Sequence, residues 1–294
     1  MITEEELRKL IEKEYPNDVN SIMDGLKERR KTSFRLNRLK SNKEEIDKYL
    51  LENNIKFSNP DFFEDAYILS DKLDLTETTL FKEAKIYLQS LSSQIPPLFL
   101  DLNTSHEILD MCAAPGGKTC EIASLTNNSK DIMAVEANKI RADKLKYNLN
   151  MQGAKVNVFV QDARKLDEFF RFDTILLDAP CSGSGTINLN NPKDLKYFSH
   201  ELVMNSAKTQ KDLLKKALEI LKPGHSLIYS TCSILKEENE NVLRKFLSDN
   251  IVIEPIKLDI DSSNLLPSNI DGVITVRPSK DYEGFFISKI KKIK

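Results

Sequence analysis

Two cysteines carry the chemistry most legible in this chain. Cys181 lies in Asp178-Ala179-Pro180-Cys181-Ser182-Gly183-Ser184-Gly185, and Cys232 in Tyr229-Ser230-Thr231-Cys232-Ser233. Each follows a short apolar run, 174–177 or 226–229, of the kind that forms a buried parallel strand. Ligands of open α/β sheets bind beyond the carboxyl ends of the strands, so both thiols are expected at that crevice. A thiolate is soft and nucleophilic, which suits it to add to an electron-poor ring carbon. The other two cysteines are Cys112 and Cys120, and the spacing of the four matches neither a zinc site nor a redox pair. A chain of 294 residues does not need disulfide staples, so the expectation is reduced thiols in a cytoplasmic protein without a metal.

A second constellation concerns a cofactor. Ile108 to Cys112 reads as a strand, and Ala113-Ala114-Pro115-Gly116-Gly117-Lys118-Thr119 as its turn into a helix. Small residues there let backbone N–H groups approach a ligand, and a helix N-terminus favours anionic groups. A phosphate-binding P-loop is excluded, because Cys112 stands where its first glycine is required, and the G-x-G-x-x-G fingerprint is absent. Glu136 ends the second strand, where nucleoside-binding units carry their ribose-binding acid. Asp162 follows the third strand and Asp178 ends the fourth. Acids at successive strand ends suit a ligand with ribose hydroxyls, an exocyclic amine and an ammonium group. S-adenosyl-L-methionine has all three.

The elements that must position these residues follow from periodicity. Helical spacing of apolar residues runs over 3–30 and is split by Pro16. Residues 33–40 alternate like a half-exposed strand, a helix spans about 42–53, and weaker strands lie near 66–69 and 85–88. Residues 1–95 are therefore expected to form a small α/β accessory domain, with Gln94-Ile95-Pro96-Pro97 at its boundary. From 96 to 294 strands alternate with helices. Strands are predicted near 107–111, 132–136, 156–160, 174–178 and 226–230, and helices near 117–126, 138–152, 203–221 and 236–248, with Pro223-Gly224 ending the third. Late strands near 273–277 and 284–289 would close the edge. This alternation implies a doubly wound parallel sheet.

Composition narrows the class. About 40% of residues are apolar and 30% charged, there is no run near the ~18 apolar residues a membrane span needs, and the acidic N-terminus is no signal peptide. The net charge is −2, but Lys27, Arg29, Arg30, Lys31, Arg35, Arg38 and Lys40 crowd one segment with a single acid, Glu28. That segment reads either as a solvated helix end and strand face or as a phosphate-binding patch.

These motifs together resemble the Fmu/Sun-type RNA cytosine-5 methyltransferases. The matching segments are Ser33-Phe34-Arg35-Leu36-Asn37-Arg38-Leu39-Lys40, Asp110 to Thr119, Asp178 to Thr186, and Tyr229-Ser230-Thr231-Cys232-Ser233-Ile234 continuing into Glu237-Glu238-Asn239-Glu240, with a closing Gly284-Phe285-Phe286-Ile287. The resemblance implies a Rossmann-like methyltransferase sheet with an RRM-like N-terminal domain. It implies Cys232 as nucleophile, Cys181 assisting release, and Asp178 and Lys118 at the reaction centre. It places the methyl donor, S-adenosyl-L-methionine, on Cys112, Ala113, Ala114, Pro115, Gly116, Gly117, Lys118, Glu136, Arg141, Asp162, Asp178 and Pro180. The charge of the 27–40 segment, beside the cleft, leads to the expectation that Arg29, Arg30, Lys31, Arg35, Asn37, Arg38 and Lys40 contact RNA, in a monomer acting on structured RNA with an accessible cytidine. The chain departs from the family pattern at Glu136, where an aspartate is usual. It departs also around Ile86-Tyr87-Leu88-Gln89, where a preceding glycine and a following acid are missing.

The implied chemistry is physical. Carbon 5 of cytosine is a poor nucleophile until a thiolate adds to carbon 6. The ring must leave its stack to be reached, which costs least in a loop or single strand. A methyltransferase acting on nitrogen would carry an aromatic after strand four, where this chain has Cys181. An assembly factor that keeps only the donor fold would not need Cys181, Cys232 and Asp178 intact.

Overall fold

The computed structural model describes residues 2–71 and 73–294. Helix α1 (Glu4–Glu14) begins in a capping box, with Thr3 and Glu6 satisfying each other's backbone N–H groups. Pro16 interrupts, and α2 (Val19–Lys27) follows. The apolar stripes of both helices, Leu7, Ile11, Val19, Ile22 and Leu26, share a core with Ile187, Phe198, Val203, Ile234 and Leu235. Although the sequence groups them with the first 95 residues, these helices pack on the larger unit.

Next come β1 (Ser33–Leu36), α3 (Lys43–Glu52), β2 (Phe57–Ser58), β3 (Ala66–Leu69), α4 (Thr79–Lys82) and β4 (Ile86–Leu88). The four strands pair antiparallel in the order β2-β3-β1-β4, around Phe34, Leu36, Ile46, Leu50, Tyr67 and Ile86. Phe34 stacks on Tyr67 with ring centroids 4.8 Å apart. Short α5 (Leu91–Gln94) leads across to the larger unit.

There the expected alternation appears: β5 (Glu107–Asp110), α6 (Gly117–Leu125), β6 (Asp131–Glu136), α7 (Lys139–Gln152), β7 (Asn157–Val160), β8 (Phe172–Asp178), α8 (Pro192–Tyr197), α9 (His200–Ile220), β9 (Leu221–Thr231), α10 (Glu240–Leu243), β10 (Ile251–Glu254), β11 (Ile274–Val276) and β12 (Phe285–Lys292). Among the described residues these strands form one eight-stranded sheet in the order β10-β12-β9-β8-β5-β6-β7, with β11 on β12. Strands β5 to β9 pair parallel, and β10, β11 and β12 join antiparallel. The order reverses between β5 and β8, so the crevice opens beyond their carboxyl ends.

Two expectations shift. The helix predicted for 236–248 shrinks to α10, because Glu238 and Asn239 are fully buried and Asn239 has φ −120° and ψ −97°. Their side chains serve the cysteine loops instead of solvent. The helix predicted for 203–221, α9, begins three residues earlier and ends one residue earlier, ahead of Pro223-Gly224. The helix stops at Ile220 and β9 begins at once, with Gly224 at φ +82°. A proline excludes the residue before it from helical geometry, so Lys222 cannot extend the helix. Strands β2 and β10 and helix α8 were not anticipated.

Candidate active site

Strands β8 and β9 are parallel neighbours with Asp178 opposite Ser230, so the loops beyond them start side by side. They stay together because Gly185 N–H donates to the Cys232 carbonyl at 3.0 Å, and Gly284 N–H to the Gly185 carbonyl at 2.8 Å. A Cβ on Gly185 would lie 2.1 Å from that neighbouring backbone oxygen of Gly284, so only glycine fits. The result sets Cys181 Sγ 2.8 Å from Cys232 Sγ. The bond to Cys232, then burial, hold the Cys181 thiol well above its usual range.

Cys232 stands on the wall between two adjoining cavities, and Cys112, Ala114 and Asp178 line both as well. The first, about 440 Å³, is lined by Cys112, Ala114, Glu136, Arg141, Asp162, Asp178, Pro180 and Cys181, with Thr209 and Leu213 of α9. Glu136 accepts from Asn138 N–H at 2.9 Å and lies 3.6 Å from Arg141, whose guanidinium donates to the Ala114 carbonyl at 2.8 Å. Asp162 is bound by Arg164, which holds its carboxyl below the usual range. The second cavity, about 350 Å³, is lined by Tyr87, Gln89, Ser90, Ser93, Asp110, Ala113, Pro115, Gly117, Lys118, Asp178, Thr186, Cys232 and Phe285.

Between the cavities sits Asp178. Its Oδ2 accepts from Lys118 Nζ at 2.7 Å and its Oδ1 from Ser230 Oγ at 2.8 Å. Lys118 also donates to Ser93 Oγ at 2.8 Å and lies 5.3 Å from the Phe285 ring centroid. Burial works against its charge, but the Asp178 carboxylate raises it above the usual lysine range. The loop 112–118 turns through Gly116 at φ +109°, where a side chain would be strained. Gly116 itself lines neither cavity; it serves the turn.

The basic segment divides. Arg29, Lys31 and Lys40 are exposed, Lys31 in an ion pair with Asp281 at 2.9 Å. Arg30 donates to the Gly185 carbonyl at 3.2 Å, and Arg38 is paired with Asp65 and Glu64. Arg35 and Asn37 are each 1% exposed and cannot meet RNA on the surface. Arg35 on β1 and Asn37 just past its end turn into the seam between the units. Arg35 lies 3.6 Å from Glu121, while Asn37 donates to the Ala84 and Gln152 carbonyls at 2.9 Å. Burial pushes the Glu121 carboxyl up to about 8, against the pull of Arg35.

Residues 97–291 match the family model described as 16S rRNA methyltransferase RsmB/F. The chain belongs to that family. It is similar to ribosomal RNA small subunit methyltransferase F of Vibrio vulnificus, 36% identical over 231 residues, which are 76% of this chain and 48% of the relative. It is 30% identical over 302 residues to the probable ribosomal RNA small subunit methyltransferase B of Coxiella burnetii, covering 96% and 66% of the two chains. The chain spans about half the length of the curated methyltransferase F relatives it matches. A solved methyltransferase homologue from Pyrococcus horikoshii superposes with a TM-score of 0.81 at 31% identity, covering 99% of this chain and 100% of that one. The fold is shared too with NSun6 of Pyrococcus horikoshii, solved with SFG, at a TM-score of 0.84 and 23% identity over 99% and 97% of the chains. The Rossmann-like methyltransferase fold expected from the motifs is thus that of the family.

Sequence reasoning left several site residues without a role. Tyr87, Gln89 and Ser93 come from the small sheet and its exit, which sequence spacing does not connect to the cysteines. Asp110 and Ser230 fall within the motifs, which give them no role of their own. Glu238 was visible as part of a motif, and its role emerges only from its bonds.

Proposed function

We propose that this protein transfers a methyl group from S-adenosyl-L-methionine to carbon 5 of a cytidine in RNA, with Cys232 as nucleophile and Cys181 assisting release. The observation that carries this reading is the facing pair of thiols, 2.8 Å apart, with Cys232 on the wall shared by the two cavities and Cys181 lining the first. A single-cysteine site needs no such partner.

The first cavity fits the donor. Its volume falls in the usual ligand range, Glu136 and Asp162 offer carboxylates to hydroxyls and an amine, and Met111, Ala137, Ala163 and Leu213 supply apolar walls. When bound, the donor supplies an electrophilic methyl group. The second cavity suits a base withdrawn from its stack, with Tyr87 and Phe285 as rings and Asp178 and Lys118 at its polar end.

The residues divide the work. The Cys232 thiolate adds to carbon 6, which makes carbon 5 electron-rich. Asp178, fixed by Lys118 and Ser230, accepts from the exocyclic amine, while the Lys118 ammonium supplies positive charge where the ring gains electrons. After methyl transfer the carbon 5 proton must leave and the bond between Cys232 and carbon 6 must break. In this reading the carbon 5 C–H electrons re-form the ring double bond as the sulfur of Cys232 leaves with its bonding pair, and Cys181 assists; its Sγ, 2.8 Å from that of Cys232, supports the role.

Membership in the RsmB/F family makes small-subunit ribosomal RNA the first substrate to test. Labelled S-adenosyl-L-methionine is incubated with that RNA and with transfer RNA, and products are run on a denaturing gel and mapped by bisulfite sequencing. Cys232→Ala is expected to abolish transfer, and Cys181→Ala to accumulate a covalent protein–RNA band. An adduct in Cys232→Ala instead would reverse the roles, and donor binding without transfer to any RNA would sink the catalytic reading.

A further inference from the structure

Glu238 belongs to neither cavity, yet its side chain is fully buried beneath the two cysteine loops. Its Oε1 accepts from Ser182 N–H at 2.6 Å. Its Oε2 accepts from Ser182 Oγ at 2.5 Å and from Ser233 Oγ at 2.6 Å. Ser182 is the residue after Cys181, and Ser233 the residue after Cys232. One carboxyl therefore ties together the positions that follow the two thiols. Its own backbone is anchored, because Tyr229 Oη donates to the Glu238 carbonyl at 2.6 Å. Asn239 adds a parallel brace within the second loop, accepting from Thr231 Oγ1 at 2.6 Å and donating to the Ser233 carbonyl at 2.9 Å.

We infer that Glu238 is a positioning residue: it holds Cys181 and Cys232 face to face by bonding the serine that follows each. It touches neither substrate nor donor, and it acts through the loops. The loops also meet at Ala179 and Ser230 before Cys181, and at Ser184 and Ser233, Ser184 and Ile234, and Gly185 and Cys232 beyond it, and Gln210 donates to the Pro180 carbonyl; Ser182 itself is bonded by Glu238. Burial raises the Glu238 carboxyl, and hydrogen bonds from Ser182, Ser233 and Gln210 oppose that rise. The functional half of the inference rests on the cytosine-methylation reading. The geometric half does not.

The experiment separates them. The thiol pair is oxidised with diamide in the absence of RNA. The two thiols give up two protons and two electrons to the diazene, which becomes the hydrazine, and a sulfur–sulfur bond forms. Peptide mass spectrometry of the non-reduced digest follows the bond between Cys181 and Cys232. The variants are Glu238→Gln, Glu238→Ala and Glu238→Asp. The amide of glutamine accepts from Ser182 N–H, and its NH2 donates to the two hydroxyls, so Glu238→Gln should oxidise within about threefold of the parent rate. Alanine makes none of the bonds, and aspartate is short by about 1.5 Å, one carbon–carbon bond. Both should oxidise at least about tenfold more slowly, with donor affinity by titration calorimetry unchanged within about threefold, because Glu238 is outside the donor cavity. Should alanine fail to fold by circular dichroism, the aspartate variant carries the comparison.

Equal oxidation rates in all folded variants overturn the inference. So does loss of donor binding in step with loss of oxidation, which would mark a general prop. In the methylation assay, rescue by glutamine of a transfer defect seen with alanine supports the role. A parent protein that oxidises as expected but methylates no RNA refutes the catalytic reading alone and leaves the positioning role standing.

Discussion

Asp110 gives this site a pH signature whose sign and size can be worked out. It ends β5 fully buried, beside Lys118 and Asp178, and its Oδ2 accepts from Thr119 Oγ1 at 2.7 Å. Burial pushes its carboxyl from 3.8 up to about 7; the Thr119 bond opposes this, Asp178 adds to it and Lys118 opposes it. Between those two values the native protein binds a proton that the unfolded chain has released. Stability must therefore fall as pH rises through that window, with the full contribution of the protonated acid present below about 4 and lost by about 7. Each unit is worth about 1.4 kcal/mol, so the slope integrates to about 4 kcal/mol. Asp110→Asn keeps the shape and cannot titrate. Its offset from the parent includes a fixed hydrogen-bond change of about 1–3 kcal/mol, which does not depend on pH. The test is the difference between the two proteins in urea unfolding at a series of pH values from 4 to 8.5. The chain has no tryptophan, so far-UV circular dichroism is the probe. The parent should lose about 4 kcal/mol relative to the variant across the series. A difference that moves by less than about 1 kcal/mol would refute the reasoning.

Other outcomes follow from particular contacts. Gly185→Ala would drive a Cβ against the Gly284 backbone, which cannot swing away, so unfolding stability should drop by about 3 kcal/mol and methyl transfer with it. Asn37→Ala strands the buried Ala84 and Gln152 carbonyls; urea unfolding should show a loss of about 2–4 kcal/mol, while RNA affinity of the folded protein stays unchanged. Replacing Arg29, Lys31 and Lys40 with alanine should leave stability nearly unchanged. Where each meets a phosphate of single-stranded RNA, the slope of log affinity against log salt should shrink by about 0.7 per residue, measured by filter binding. An unaltered slope would place the RNA elsewhere.

Sequence alone determined most of the strand–helix alternation of the larger unit, though not α8 or β10. Strand-ending acids at 136 and 178, the glycine turn at 116–117 and the two cysteine loops are local patterns, and parallel strands bring their carboxyl ends to one edge whatever the rest of the chain does. It also fixed the family, because these short motifs tolerate few alternatives. What required the tertiary structure was every question of which face a residue meets. Arg35 and Asn37 sit among cations and read as surface, yet β1 pairs with β3 and β4 and turns them into the seam. Tyr87 and Gln89 reach the second cavity only because β4 is the edge strand facing the donor loop. Residues 236–239 carry helical propensity, but buried bonds from Glu238 and Asn239 to loops distant in sequence outweigh it. Local propensity is set within a few residues, whereas burial and partnership are set by chain segments far apart in sequence, and only the folded chain brings those together.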